Sequence, residues 1–238
     1  MRCLVFDVYG EYGHFKKPYS PASPVSYPVP PPTAILGMLG AILGYSKTEY
    51  HQKLNWQTIQ IGIRLLKPVQ IFRAAINLLN TKEADSYFRP ILGKNTHSQI
   101  PFEFLKSPSF QIYVKDLSEE NFEKLIQLLS NNQTIYTPVL GLANCLAETK
   151  WIGVFELEPF ENKDWKTQCV IPMVENLKIH YEDKRRYHRL RVPTEMDEQR
   201  VVHRYQEIVL AEDIKPITGE GGKNLFYRME NNEIITFL

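Results

Sequence analysis

Seven prolines fall between Pro18 and Pro32 in the segment EYGHFKKPYSPASPVSYPVPPP. No helix survives that density, because each proline removes an amide donor and restricts the residue before it. The segment must run as an extended, turn-rich strap. Before it, Arg2 to Tyr9 is an apolar, β-branched run ending at Gly10, which predicts a core strand. After it, Thr33 is the expected cap of a helix over Ala34 to Leu43, with Gly44 as its stop. Gly37, Ala41 and Gly44 share one face of that helix, so a close backbone approach is expected on that face, with Thr33, Gly37, Gly40 and Gly44 as structural positions. With no polar side, the helix should be buried nearly all round. A long irregular segment between two core elements is usually functional.

The chain has 238 residues and 27.8 kDa, 43% hydrophobic and 23% charged, which excludes disordered and fibrous classes. A folded surface of roughly 11,000 Å² against about 40,000 Å² extended leaves room for one large or two small domains. Cys3, Cys145 and Cys169 are odd in number and far apart, which argues against a disulfide framework or a cysteine zinc ribbon and fits a reducing compartment. The uninterrupted apolar stretch Ala34 to Gly44 would span about 17 Å as a helix, short of a bilayer core. Asp7, Glu11, Lys16 and Lys17 interrupt any signal-peptide pattern, so a cytoplasmic protein is expected, with no membrane partner.

Ile59 to Leu66 and Val69 to Leu79 read as extended, broken at Pro68. Residues 82 to 101 are charged, aromatic and turn-rich, and predict a projecting hairpin or loop. Phe102, Phe104, Phe110, Ile112 and Val114 alternate around Ser107-Pro108, which predicts a hairpin with Pro108 in its turn. Ser118 is the expected cap of an amphipathic helix to about Ser130, with Phe122, Leu125, Ile126 and Leu129 on its apolar face. A strand follows over about Lys150 to Leu157. This order matches the split β-α-β-β-α-β ferredoxin-like plan with an insertion, an α+β fold over residues 1–158. Residues 159–238 lack a helical period; Val170–Met173, Tyr187–Val192, Val201–Leu210, Phe226–Met229 and Ile234–Leu238 read as short strands of a small β-rich domain. A degraded second ferredoxin-like half is an alternative for this region.

A net charge of +1 says little, but its distribution is uneven. Arg64 and Arg73 lie in a stretch from Tyr50 to Lys82 free of Asp and Glu, and Arg89 and Lys94 in another from Ser86 to Phe102. The segment KRRYHRLR gathers Lys184, Arg185, Arg186, Arg189 and Arg191 around Tyr187 and His188. As a strand it puts Arg185, Tyr187, Arg189 and Arg191 on one face, a combination suited to phosphates and stacked bases. Five cations so close need acids nearby if they are a plain solvated face, and Glu182, Asp183, Glu195, Asp197 and Glu198 are the sequence neighbours able to supply them. The turn Gly219 to Asn224 offers amides and Lys223 to a phosphate but lacks the spacing of a nucleotide-binding loop.

No histidine pair has metal-ligand spacing, and no H-E-x-x-H occurs, so neither a metal nor any other cofactor is expected. Metal-free RNA cleavage needs only a proton acceptor and cations on the scissile phosphate. His14 with Lys16, Lys17 and Tyr19, or His188 with Tyr187, supplies those types.

The run Val5-Phe6-Asp7, Gly10, Gly13-His14-Phe15-Lys16, Pro21, Ser26-Tyr27-Pro28 and Pro31 to Gly44 resembles the family-five CRISPR-associated proteins of the RAMP superfamily. The likeness is specific over residues 4 to 44, moderate over Phe102 to Val114 and loose in the last eighty residues. It implies a ferredoxin-like (RRM-like) N-terminal domain, a small β-rich C-terminal domain and a thumb hairpin inserted at about residues 80–100. On the thumb, Phe88, Arg89 and Lys94 become candidates for RNA contact. The late GGKN turn and GMLGAILG look most like the type I-B branch.

The same resemblance implies a non-catalytic subunit of a type I interference complex, the Cascade, acting in antiviral defence. It would bind and cap the repeat-derived 5′ handle of the guide RNA and contact the backbone and large subunits, the assembled complex engaging target DNA. One branch of the family cleaves precursor RNA with tyrosine and an adjacent lysine-histidine pair. Tyr45 follows the first helix here, but no Lys-His pair occurs in the chain, so no catalytic residues are expected. Two alternatives stand beside this: a metal-independent endoribonuclease processing precursor RNA, and a purely architectural protein-binding subunit.

Overall fold

A computed structural model of the chain describes residues 1–19, 24–54, 57–79 and 96–238. The chain opens with β1 (Arg2–Tyr9) and the short β2 (Tyr12–Gly13), passes through the strap, and enters α1 (Pro32–Leu43), the short α2 (Tyr50–Lys53) and β3 (Gln60–Leu65). Next come β4 (Ile71–Leu79), β5 (His97–Lys106), β6 (Ser109–Lys115), α3 (Glu119–Ser130) and β7 (Glu148–Pro159). Eight further strands complete it: β8 (Asp164–Thr167), β9 (Ile171–Pro172), β10 (Leu177–His180), β11 (Tyr187–Met196), β12 (Val202–Ala211), β13 (Ile217–Gly221), β14 (Phe226–Met229) and β15 (Ile234–Thr236).

The main sheet has the order β15-β14-β7-β1-β6-β3, antiparallel throughout. β1 is apolar without alternation because both its faces are buried. Leu4, Phe6 and Val8 join the core beneath α1 and α3, while Cys3 and Val5 pack with Tyr113, Leu157, Met229, Ile235 and Phe237 on the other side. The sheet curls over that second cluster. The amide of Leu238, just past β15, donates to the Ile61 carbonyl of β3 at 3.0 Å, so the two ends of the strand order meet. β14 pairs onto β7 and β15 onto β14, so residues beyond 158 extend the main sheet.

α3 forms as its sequence requires. The Ser118 side chain accepts from the Asn121 amide, Glu119 and Glu120 occupy the first turn, and Phe122, Leu125 and Leu129 are buried. The start of α1 corrects an expectation. The helix begins at Pro32 with Pro31 as its cap, and Thr33 makes no capping bond because it is buried within the first turn. A proline at the first helical position has φ already set and lacks only an amide that would have no helical partner. Gly44 ends the helix as expected, in the left-handed region at φ 83°. The close approach falls on Gly40, where an added Cβ would sit 2.8 Å from Tyr50, and not on Gly37, which faces open space.

The Ser107-Pro108 break also corrects an expectation. β5 and β6 do not pair with each other: β5 pairs with β4 and β2, while β6 pairs with β1 and β3. The break carries the chain from an inserted hairpin back into the main sheet. That hairpin, β4 with β5, is registered from Ile71↔Leu105 to Leu79↔His97 and is largely exposed. β8, β10 and β13 form a further sheet that the sequence reading does not anticipate, and β11, β12 and β9 form another.

Candidate nucleic-acid interface

The strap is held as a narrow antiparallel loop. Lys17 N donates to Val25 O at 3.0 Å, Tyr27 N to Phe15 O at 2.8 Å, and Phe15 N to the Ser26 hydroxyl at 3.0 Å. The Glu103 amide of β5 donates to Pro24 O, and the Tyr27 hydroxyl to the Arg191 carbonyl of β11 at 2.9 Å. The strap is thereby fixed between the inserted hairpin and the β11–β12 ribbon.

A cleft of about 370 Å³ opens where these three meet, lined by Lys17 and Ser26 of the strap, Ile71 and Glu103 of the hairpin, and Arg186, His188 and Glu212 of the ribbon and its flanks. Arg73 stands at its margin, 3.2 Å from Glu103. Glu212 lies 3.7 Å from Arg186 and 3.1 Å from the His188 Nε2, neither contact having hydrogen-bond geometry. Cations from three segments far apart in sequence thus converge, Arg73 beside Glu103, Arg186 beside Glu212, and Lys17 without an ion-pair partner among the described residues. A phosphate entering there would meet Lys17, Arg73 and Arg186 in competition with the carboxylates of Glu103 and Glu212.

The KRRYHRLR segment is divided by the fold. Arg185 is 6% exposed and forks onto Asp213 at 2.7 Å, pairs with Glu182 at 2.7 Å, donates to Pro216 O at 2.8 Å and also to Lys215 O. Burial alone would lower its pKa, but Asp213 and Glu182 outweigh burial and raise it. This arginine staples the turn after β12 and is not a surface contact. Arg189, 61% exposed, grips both oxygens of Glu207 at 2.7 and 3.0 Å. Tyr187 stacks beneath the Arg185 guanidinium at 5.2 Å. Lys184 is exposed at φ 64°, and Arg191 is exposed beside the Tyr205 ring. Of the acids expected to offset this segment, Glu182 does so; Glu195 pairs with Arg204 and Asp197 with His203 instead. The offsetting role falls to Glu207, Glu212 and Asp213, which pairing of β11 with β12 brings alongside.

The remaining candidates separate. His14 is 1% exposed, its Nδ1 2.7 Å from the Glu103 carbonyl and its ring between Phe102 and Phe104, so it packs the strap and cannot meet RNA as the fold stands. Lys16 and Tyr19 are exposed on the strap. Arg64 lies outside the cleft, bonded to Glu233 at 2.7 Å in a separate 150 Å³ pocket with Tyr113 and Cys169. Lys223 is exposed in the turn after β13. Phe88, Arg89 and Lys94 lie outside the described residues. Sequence reading missed Tyr205, whose only signal is a ring amid the charges of HRYQE, and Glu212.

Tyr45 donates to Asn121 Oδ1 at 2.5 Å, and its phenol is pushed up by burial and then by Glu120. Among the described residues no three His, Cys, Asp or Glu side chains cluster as metal ligands, and no helix is long and apolar enough to cross a membrane.

Comparison with known proteins follows the same lines. Over its full length the chain is similar in fold to a CRISPR protein from Archaeoglobus fulgidus, at TM-score 0.59 and 12% identity, covering 100% of this chain and 99% of that one. It is similar to a chain of a CRISPR RNA-guided surveillance complex at TM-score 0.56 and 11% identity, with 91% of each covered. A chain in a structure of the Type III-B Cmr-beta bound to cognate target RNA and AMPPnP matches at TM-score 0.52 and 10% identity, over 92% of this chain and 86% of that one. No curated protein sequence matches. At such identities the likeness is one of fold, a mixed fold with a large sheet and few helices. The family model described as CRISPR-associated protein (Cas_Cas5) matches residues 3–209, and the chain belongs to that family.

Proposed function

We propose that this chain is a non-catalytic subunit of a type I CRISPR interference complex that holds the 5′ handle of the guide RNA in the cleft between strap, hairpin and ribbon. Family membership supports a subunit of a CRISPR effector complex. The observation that carries the RNA reading is the convergence of Lys17, Arg73, Arg186 and His188 on one cleft from three distant segments. Basic residues on loops and strands suit an irregular single strand, gripped by its phosphates with bases splayed, better than a duplex groove.

The finer parts of the reading rest on it. Strands β7-β1-β6-β3 with α1 and α3 would be the ferredoxin-like unit, the hairpin β4–β5 part of the thumb that reaches the backbone subunit, and residues 159–238 the small β-rich unit, which lends β14 and β15 to the main sheet. The large subunit would pack beside it, target DNA would meet the assembled complex, and the type I-B assignment stays with GMLGAILG. Its place of work is the cytoplasm.

A second reading, an architectural subunit that touches only protein, is favoured by the ion pairs Arg185–Asp213 and Arg189–Glu207, which neutralise much of the basic strand. Ultraviolet crosslinking of the assembled complex separates the two. The RNA reading expects peptide adducts within residues 14–27 and 184–191; adducts confined to other subunits would leave the architectural one.

A further inference from the structure

The β11–β12 ribbon sets Pro193 opposite Tyr205 and Arg191 opposite Glu207 on one face. The neighbouring arginines are taken up by carboxylates: Arg185, just before β11, by Asp213, and Arg189 of β11 by Glu207. Arg191 has no carboxylate within ion-pair distance among the described residues. Its guanidinium lies instead 5.4 Å from the centre of the Tyr205 ring, and Tyr205 is 38% exposed. An arginine laid on a ring is pre-organised: its plane is fixed, and its outer face is free to receive a second flat group.

The strap completes this surface. Tyr27 bonds the Arg191 carbonyl through its hydroxyl and carries the Lys17 ammonium 5.6 Å from its ring centre. Its phenol is pushed up to about 12 by burial and then by Tyr19 and Tyr205. Lys16 and Lys17 likewise have no ion-pair partner among the described residues. Exposed rings and an arginine plane ringed by unmatched cations suit a ligand in which each flat group is flanked by anions. Such a ligand is single-stranded nucleic acid.

We infer that Arg191 and Tyr205 form a stacking platform for an unpaired nucleobase of the RNA strand whose phosphates meet Lys16 and Lys17. This rests on the RNA-binding reading and names a base contact within it. The platform and the cleft share a strand but not a face: His188, which lines the cleft, and Arg191 alternate along β11, and Lys17 of the strap borders both.

The test uses the full chain, handle-sequence single-stranded RNA, and the same RNA with one abasic position moved along it. Tyr205→Leu is expected to weaken binding about 10-fold or more with an unchanged salt slope, while Tyr205→Phe stays near wild type. Arg191→Lys keeps the charge and loses the plane, so it weakens binding without flattening the slope. One abasic position should penalise the wild type but not Tyr205→Leu. Wild-type affinity in Tyr205→Leu, or an equal abasic penalty in both, overturns the platform. So does a Tyr205→Leu variant that binds RNA normally but assembles poorly with its neighbouring subunits, which would make this a protein contact and leave the RNA reading standing. Absence of salt-dependent RNA binding by the wild type overturns both.

Discussion

The Tyr27 hydroxyl donates a 2.9 Å hydrogen bond to the backbone carbonyl of Arg191, across 164 positions of sequence. The proline-rich strap and the basic strand are thus parts of one surface, and the bond is the most direct link between them. Tyr27→Phe keeps the buried ring and removes the donor, and is expected to lower stability by about 1 kcal/mol in urea denaturation. An unchanged midpoint would mean that the strap is held by its backbone alone.

Two arginines of the same segment should behave oppositely. Arg185 is buried against Asp213, Glu182 and two carbonyls, so Arg185→Ala strands these partners and is expected to cost about 2–3 kcal/mol. Arg189 is exposed on Glu207, so Arg189→Ala should cost less than about 1 kcal/mol. Equal losses would contradict this division. It also makes charge reversal at Arg185 unsuitable as a probe of RNA contact, since the variant would lose its fold before its ligand.

The glycines of α1 give a second contrast. Gly37 is inside the helix with open space where a Cβ would go, so Gly37→Ala should stabilise by about 0.5–1 kcal/mol. Gly44 is left-handed at φ 83° with Ile135 2.6 Å from the added atom, and Gly44→Ala should cost about 1–2 kcal/mol. Thermal melts of the two variants on either side of wild type are the expected result; melts shifted in the same direction would refute it.

Glu220 predicts the acid limb. Bonds from Lys163 and then Lys178 hold its carboxyl down at about 2, below the ordinary value of 4.5. A depressed carboxyl contributes stability that is present above the unfolded value and lost as pH falls from about 4.5 toward 2. Glu220→Gln should therefore flatten the fall in urea midpoint between pH 5 and pH 3 (about the accessible window) at low salt, an effect that salt screens because all three groups reach solvent. A fall as steep as that of wild type would show that the pairs contribute nothing.

What the sequence made legible was what local pattern decides. β1, α3 and the exact span of β14 follow from apolar period, the Ser118 cap and β-rich composition. The failures are non-local. Ser107-Pro108 breaks the chain between two runs of alternating apolar residues, but nothing in those residues says that one belongs to the hairpin and the other to the main sheet. At α1 two signals competed, and the proline already holding φ near its helical value displaced Thr33 as the boundary. The basic strand was visible as charge. Its neutralising acids, Glu207, Glu212 and Asp213, were not, because they lie on or just beyond the strand that pairs with it some twenty residues later. His14 was singled out for its chemistry, and its burial under Phe102 and Phe104 depends on an insertion ninety residues away.

The central claim is that Lys17 and Arg186, from opposite sides of one cleft, grip the phosphates of a single RNA strand. The salt dependence of handle RNA affinity in the wild type and in Lys17→Glu/Arg186→Glu tests it most directly. Both residues are on the surface, and neither is needed for the Arg185 staple. The account predicts weaker binding and a shallower slope of log affinity against log salt, by about 0.7 for each phosphate that is no longer neutralised. Affinity and slope equal to those of wild type would contradict it.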